Sequence, residues 1–101
     1  MSTDQLEHIR LDNQLKQVRV SKYAASESLI AAQEMMVFWL DESVAAFVDY
    51  DEERGQARMM ECNGKVAEHQ TRISDLEALI SDFSELEAEV ASCQLLLMWD
   101  N

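Results

Sequence analysis

Three side chains near the start of the chain could bind a metal ion. Asp4, His8 and Asp12 are spaced four residues apart, so on a helix they would share one face. Carboxylate and imidazole groups are common metal ligands, but metal sites in helical bundles normally draw Glu-x-x-His pairs from several helices. The sequence contains no such pair. We therefore expect a solvated helix start and predict no metal site.

A second candidate for chemistry is the pair Cys62 and His69, which lie one heptad apart. A soft metal site would need further ligands that the sequence does not offer, so we expect His69 to be a hydrogen-bonded core residue. The sequence also has no glycine-rich phosphate loop, no G-x-S-x-G motif and no H-E-x-x-H motif. It predicts no catalytic residue and no cofactor, and we expect that the protein is not an enzyme.

The composition favours a few long helices. The 101 residues are enough for one small domain, they include no proline and two glycines, and many are good helix formers. We predict an all-α, coiled-coil-like fold consisting of one long antiparallel helical hairpin. A helix over about 3–50, capped by Ser2 or Thr3, leads through a turn at about 51–56 to a second helix over about 57–98.

An alternative position for the turn is the Asn-Gly pair at 63–64, since such pairs usually mark turns. The apolar spacing from Met59 to Ile73 nevertheless continues through this pair, and Glu61 and Lys65 would form a favourable i, i+4 pair across it. A glycine inside a helix costs only about 1 kcal/mol. We therefore place the turn near Gly55.

Along the first helix, apolar residues recur in steps of three and four, as expected for a helix packed lengthwise on another. We call this stripe the hairpin seam. It is predicted to comprise Leu11, Leu15, Val18, Lys22, Ala25, Leu29, Ala32, Met36, Leu40, Val44 and Phe47.

One charged residue interrupts the hairpin seam. A hairpin that turns about Gly55 pairs residues whose numbers add up to roughly 109, which places Lys22 opposite Glu87. A buried charge is tolerated mainly when it is paired. We therefore predict that Lys22 and Glu87 form a buried pair.

The stretch from Met35 to Leu40 is apolar around the whole helix, whereas one hairpin partner covers a single side. A second copy of the chain could cover the rest, and we predict a homodimer that forms a four-helix bundle. Helices supplied by a different protein are the alternative. The residues predicted to form this interface are Ala31, Met35, Phe38, Trp39, Ala45 and Trp99.

The formal net charge of −12 argues against direct binding of nucleic acid or of a membrane. Residues 23–53 contain eight acidic residues and no basic one. A helical protein with acids along its length could imitate the phosphates of a duplex. The residues assigned to this acidic surface are Asp49, Asp51, Glu52, Glu53, Glu85 and Glu89.

These features together predict a non-enzymatic protein-protein interaction module that works through apolar helix faces, as an adaptor, small chaperone or inhibitor. The alternative is an acidic nucleic-acid mimic, for example a phage or mobile-element inhibitor of a host nucleic-acid-binding defence protein. We expect the partner to be a second copy or another protein, for example a basic or nucleic-acid-binding one. The two cysteines and the absence of a signal-peptide pattern at the start favour the cytoplasm.

Overall fold

The computed structural model describes residues 2–49 and 52–99, and nearly all of them are helical. Helix α1 spans Thr3–Asp49 and helix α2 spans Glu52–Trp99. No described residue belongs to a strand. The predicted fold class, an all-α antiparallel helical hairpin, is confirmed.

The start of α1 is fixed by a reciprocal pair of hydrogen bonds. The backbone N–H of Gln5 donates to Ser2 Oγ at 3.2 Å, and the backbone N–H of Ser2 donates to Gln5 Oε1 at 2.9 Å. This is a capping box, which satisfies two N–H groups that have no partner within the helix. Ser2 is therefore the residue that caps α1, as the sequence allowed.

The predicted turn at about 51–56 is too long. Residues 52–56 belong to α2, while residues 50 and 51 lie outside the described residues. Gly55 is buried within the helix, and no described glycine has a positive φ. The Asn63-Gly64 pair is helical as well, so the alternative position for the turn is excluded. A glycine inside a helix costs about 1 kcal/mol, which a helix of this length can tolerate at both positions.

The chain packs as two compact units, each of which contains a segment of both helices. The first unit combines Met1–Ser26 with Ala78–Asn101. Its core consists of Leu11 and Leu15 on α1 and Val90 on α2, with Leu97 packed against them. Gln94 Nε2 donates a 2.6 Å hydrogen bond to Asp12 Oδ1. The first unit is therefore held by a small apolar core with a polar contact beside it.

The second unit comprises Glu27–Glu77. Its buried residues are small: Ala32 and Ala46 on α1, and Gly55 and Cys62 on α2. Small side chains let two helix backbones approach closely. The single domain stays a prediction of the sequence.

Candidate functional site

The interface residues that the sequence predicts are distributed over both units. Trp99 lies near the end of α2 in the first unit and is 84% exposed. The other five lie on α1 in the second unit. Among these, Met35 and Phe38 are nearly half exposed. Ala31 is exposed, whereas Trp39 and Ala45 are half-buried.

Trp39 is held between an aromatic ring and a cation. The rings of Phe38 and Trp39 meet edge to face, with centroids 5.1 Å apart and an interplanar angle of 80°. Arg58 Cζ of α2 lies 5.4 Å from the Trp39 ring centroid, within the range of a cation–π contact. Arg58 also donates to Glu42 Oε2 at 3.1 Å, and it pairs with Glu61 Oε2 at 3.0 Å. Trp39 therefore contributes to the contact between α1 and α2 rather than to an open face.

The charged cluster around Arg58 also limits the extent of the apolar surface around Phe38. Hydrogen bonds to Glu42 and then to Glu61 raise the pKa of Arg58, so its guanidinium stays charged. Glu42 follows Phe38 by four residues and shares its helix face. The predicted Phe38 face is therefore bordered by an ion-paired cluster and is not a continuous apolar surface.

The course of the hairpin seam after Met36 differs from the prediction. Leu40, Val44 and Phe47, which were expected to continue it, are 44%, 64% and 75% exposed. The steps of three and four continue instead through Trp39, Ser43 and Ala46, which are half-buried, half-buried and fully buried in this order. The prediction for Leu40, Val44 and Phe47 was wrong. Where α1 is apolar on all sides, the apolar pattern alone allows either set of residues to face α2.

The exposed residues form a second stripe, which we call the outer seam: Ile30, Val37, Leu40, Val44 and Phe47. Each follows by one residue a buried or half-buried position of α1, so the outer seam lies about 100° around α1 from the contact with α2. These inward-facing positions are Leu29, Met36, Trp39, Ser43 and Ala46. The members of the outer seam are between 44% and 75% exposed. Their spacing of seven, three, four and three is the heptad spacing of a helix-packing face. The sequence contains this signal as a second repeat, but it does not show which repeat faces α2.

An acidic row runs beside the outer seam. Glu27, Glu34 and Asp41 are spaced seven residues apart and are all exposed. None of the three takes part in an ion pair with another described residue. Sequence reasoning did not single out these residues. A row of free carboxylates therefore borders the outer seam on the side away from α2.

The acidic residues that the sequence did single out are distributed over both units. Glu53 is exposed in the second unit, and Glu85 and Glu89 are exposed on α2 in the first unit. Asp49 and Glu52 belong to the helices, and nothing is described of their side chains. Asp51 lies outside the described residues.

The structure brings Lys22 and Glu87 together in the first unit. Lys22 Nζ lies 3.9 Å from Glu87 Oε2, a separation too long for a hydrogen bond. The pair is not buried as predicted, because about a third of each side chain is exposed, at 34% and 30%. Long side chains on helices let their charged ends reach solvent. The contact is therefore an ordinary surface ion pair.

The candidate metal ligands do not converge. Asp4 is exposed, and Asp12 accepts the hydrogen bond from Gln94. Among the described residues, no group of three or more His, Cys, Asp or Glu side chains is arranged to hold a metal ion. His69 was expected to be hydrogen-bonded, yet its Nδ1 is buried without a partner. His69 is therefore a half-buried residue of α2 with one nitrogen that lacks a hydrogen bond.

Comparisons with known proteins add no information on this surface. No family model, no curated protein and no solved structure matches the chain. Within residues 2–49 and 52–99, neither helix has a stretch long and apolar enough to cross a bilayer.

Proposed function

We propose that the chain is a non-enzymatic protein-protein interaction module that binds its partner through the outer seam. As an adaptor, small chaperone or inhibitor, it would offer a ready-made helix face to which another helix adds. Cytoplasmic location is part of the proposal, and it is supported by two free cysteines, Cys62 and Cys93.

The exposure of a regular apolar repeat is the observation that carries this proposal. Single exposed apolar residues are normal on protein surfaces, but contiguous ones usually mark an interaction site. Val37, Leu40, Val44 and Phe47 alternate in steps of three and four over three helical turns, all of them at least 44% exposed. An exposed apolar stripe of this kind lowers solubility, whereas it would form a regular packing surface for a second helix.

The experiment that tests the proposal is affinity capture from the native host with three versions of the full chain. Val37→Glu/Val44→Glu introduces charge into the outer seam, whereas Val20→Glu changes a comparably exposed valine in the first unit. We expect the wild type and Val20→Glu to capture a partner protein in stoichiometric amount. The double variant should no longer capture it. Helical circular dichroism shows that each variant is folded. Equal recovery of the same partner on all three versions would overturn the proposal.

Related measurements test two further expectations from the sequence, the homodimer and the nucleic-acid mimic. Sedimentation velocity of the free chain tests the predicted homodimer. A dimer that forms through the interface predicted from the sequence should revert to a monomer in Phe38→Glu, whereas one that forms through the outer seam should revert in Val37→Glu/Val44→Glu. The nucleic-acid mimic instead predicts that capture survives this change and is lost when Glu53, Glu85 and Glu89 are reversed to Lys. Binding that weakens steeply with salt would accompany that outcome.

A further inference from the structure

We infer that the partner of the outer seam is an amphipathic helix of another protein, with Lys or Arg residues at heptad spacing beside its apolar stripe. This inference rests on the proposed function and specifies the chemistry of the partner. It is carried by three features of the second unit: the length of the seam, the unpaired acidic row and the uncharged flank of α2.

The length of the outer seam fits a single helix. From Ile30 to Phe47 it covers 17 helical steps, or about 26 Å at 1.5 Å per residue. Two and a half heptads of apolar side chains on the partner would match this length. The site therefore suits a helical segment of about 18 residues rather than a small molecule or an extended strand.

The flank of α2 that borders the outer seam is uncharged. In an antiparallel helix pair, the residues that directly follow the inward-facing positions lie on the same side of both helices. The inward-facing positions of α2 in this unit are the buried or half-buried Met59, Cys62, Val66 and His69. The residues that directly follow them are Met60, Asn63, Ala67 and Gln70, all exposed. An incoming helix would therefore contact apolar residues of α1 and uncharged residues of α2, and it would meet charge only at the acidic row.

The acidic row determines the charge of the partner. Glu27, Glu34 and Asp41 form no ion pair with other described residues, and residues 23–53 contain no basic residue. Charges at the edge of an interface select partners by complementarity. Since the three carboxylates recur every seven residues, basic residues that recur every seven residues on one side of the partner helix would match them.

A second copy of the chain that packs antiparallel on the outer seam is a poor occupant for the same reason. Two copies of the outer seam packed antiparallel would bring their acidic rows to the same side, with Glu34 of one copy near Asp41 of the other. Like charges at such positions repel. The four basic residues of this unit, Arg54, Arg58, Lys65 and Arg72, do not offset the repulsion. Each directly precedes a buried or half-buried position of α2 and so lies on the side of α2 away from the outer seam. Arg58 and Lys65 also pair with Glu42, Glu61 and Glu68.

The test uses designed, fluorescein-labelled peptides of about 25 residues, long enough to cover the seam. Each has Leu at the a and d positions of its heptads, with either Lys or Glu at the e and g positions. A third peptide has the Lys composition in scrambled order. Fluorescence anisotropy with the full chain measures binding. We expect the Lys peptide to bind at least about tenfold more tightly than the other two, and the difference to shrink as salt is raised.

Matched variants separate the acidic row from overall charge. Glu34→Gln/Asp41→Asn and Asp75→Asn/Glu77→Gln change the net charge equally, but only the first pair lies in the acidic row. We expect the first variant to bind the Lys peptide about tenfold more weakly, because two ion pairs at a partly desolvated edge of the interface are lost. The second variant should have little effect on the affinity. Val44→Glu should abolish binding, whereas Val20→Glu should not.

Three results would overturn the inference, and they differ in what they imply for the proposed function. Equal weakening by the two charge-matched variants would show that only net charge matters. A free chain that sediments as a dimer, loses the dimer in Val37→Glu/Val44→Glu and ignores the peptides would identify a second copy as the occupant. In the first case the loss of binding in Val44→Glu, and in the second the loss of the dimer, would still identify the outer seam as an interaction site. A monomer that binds no peptide and captures no partner would overturn the proposed function as well.

Discussion

The most decisive structural prediction concerns Gly64. A hairpin with its turn at Asn63-Gly64 would place this glycine in a turn that favours positive φ. In the structure Gly64 is inside α2, is exposed and has no positive φ. The effect of Gly64→Ala on stability therefore distinguishes the two positions of the turn.

The expected magnitude follows from the surroundings of Gly64. A methyl group added at its Cα would meet no atom within 4 Å, so the substitution neither clashes nor buries new surface. What remains is the difference in helix propensity, about 1 kcal/mol in favour of alanine. For a chain of this size, that gain raises the melting temperature by about 4–8 °C.

Thermal and urea unfolding of Gly64→Ala at a fixed protein concentration measures the change. The matched control is Ala67→Gly, an exposed position one turn further along α2, which should lower the free energy of unfolding by about the same 1 kcal/mol. If Gly64→Ala destabilised the protein instead, residue 64 would have the backbone conformation of a turn. The position of both helices in the second unit would then have to be revised.

Three further predictions concern other contacts between the helices. A double-mutant cycle on Lys22→Met and Glu87→Gln should give a coupling below about 1 kcal/mol, because each side chain is about a third exposed; a coupling above about 2 kcal/mol would mean that the pair is buried. A chromogenic disulfide reagent should label one thiol in the native protein, exposed Cys93, and a second, buried Cys62, only in denaturant; rapid labelling of both would contradict the burial of Cys62. His69→Leu should stabilise the protein by about 1 kcal/mol, since it removes the unsatisfied Nδ1; a loss of stability in urea unfolding would show that this nitrogen has a partner.

Several features of the molecule were determined by the sequence alone. The absence of proline and the abundance of helix formers were sufficient for two long helices, because nothing in the chain interrupts either one. Ser2 three residues before Gln5 gave the start of α1 through a local capping box. Lys22, the charged residue of an otherwise apolar stripe, was paired with Glu87 by counting outward from the turn. These features depend on local interactions or on simple counting along a stripe.

The length of the connection and the course of the hairpin seam were decided by tertiary packing. Two residues separate α1 from α2, so the helices must approach closely beside the connection. Ala46 and Gly55 lie equally far along the chain from it, and both are buried. A side chain as large as that of Phe47 at this contact would hold the two backbones further apart. The small residues therefore face inward, and the large ones, Leu40, Val44 and Phe47, remain outside as the outer seam.

The sequence could not show this arrangement because residues 35–40 are apolar on every side of α1. For such a stretch the burial of apolar surface hardly distinguishes one helix rotation from another, since either rotation buries a similar stripe. The choice depends on shape, namely on which side chains fit between two backbones at a short distance. The sequence by itself determined that α1 has more apolar surface than α2 can cover, and only the packed helices decided which part of that surface is left for a partner.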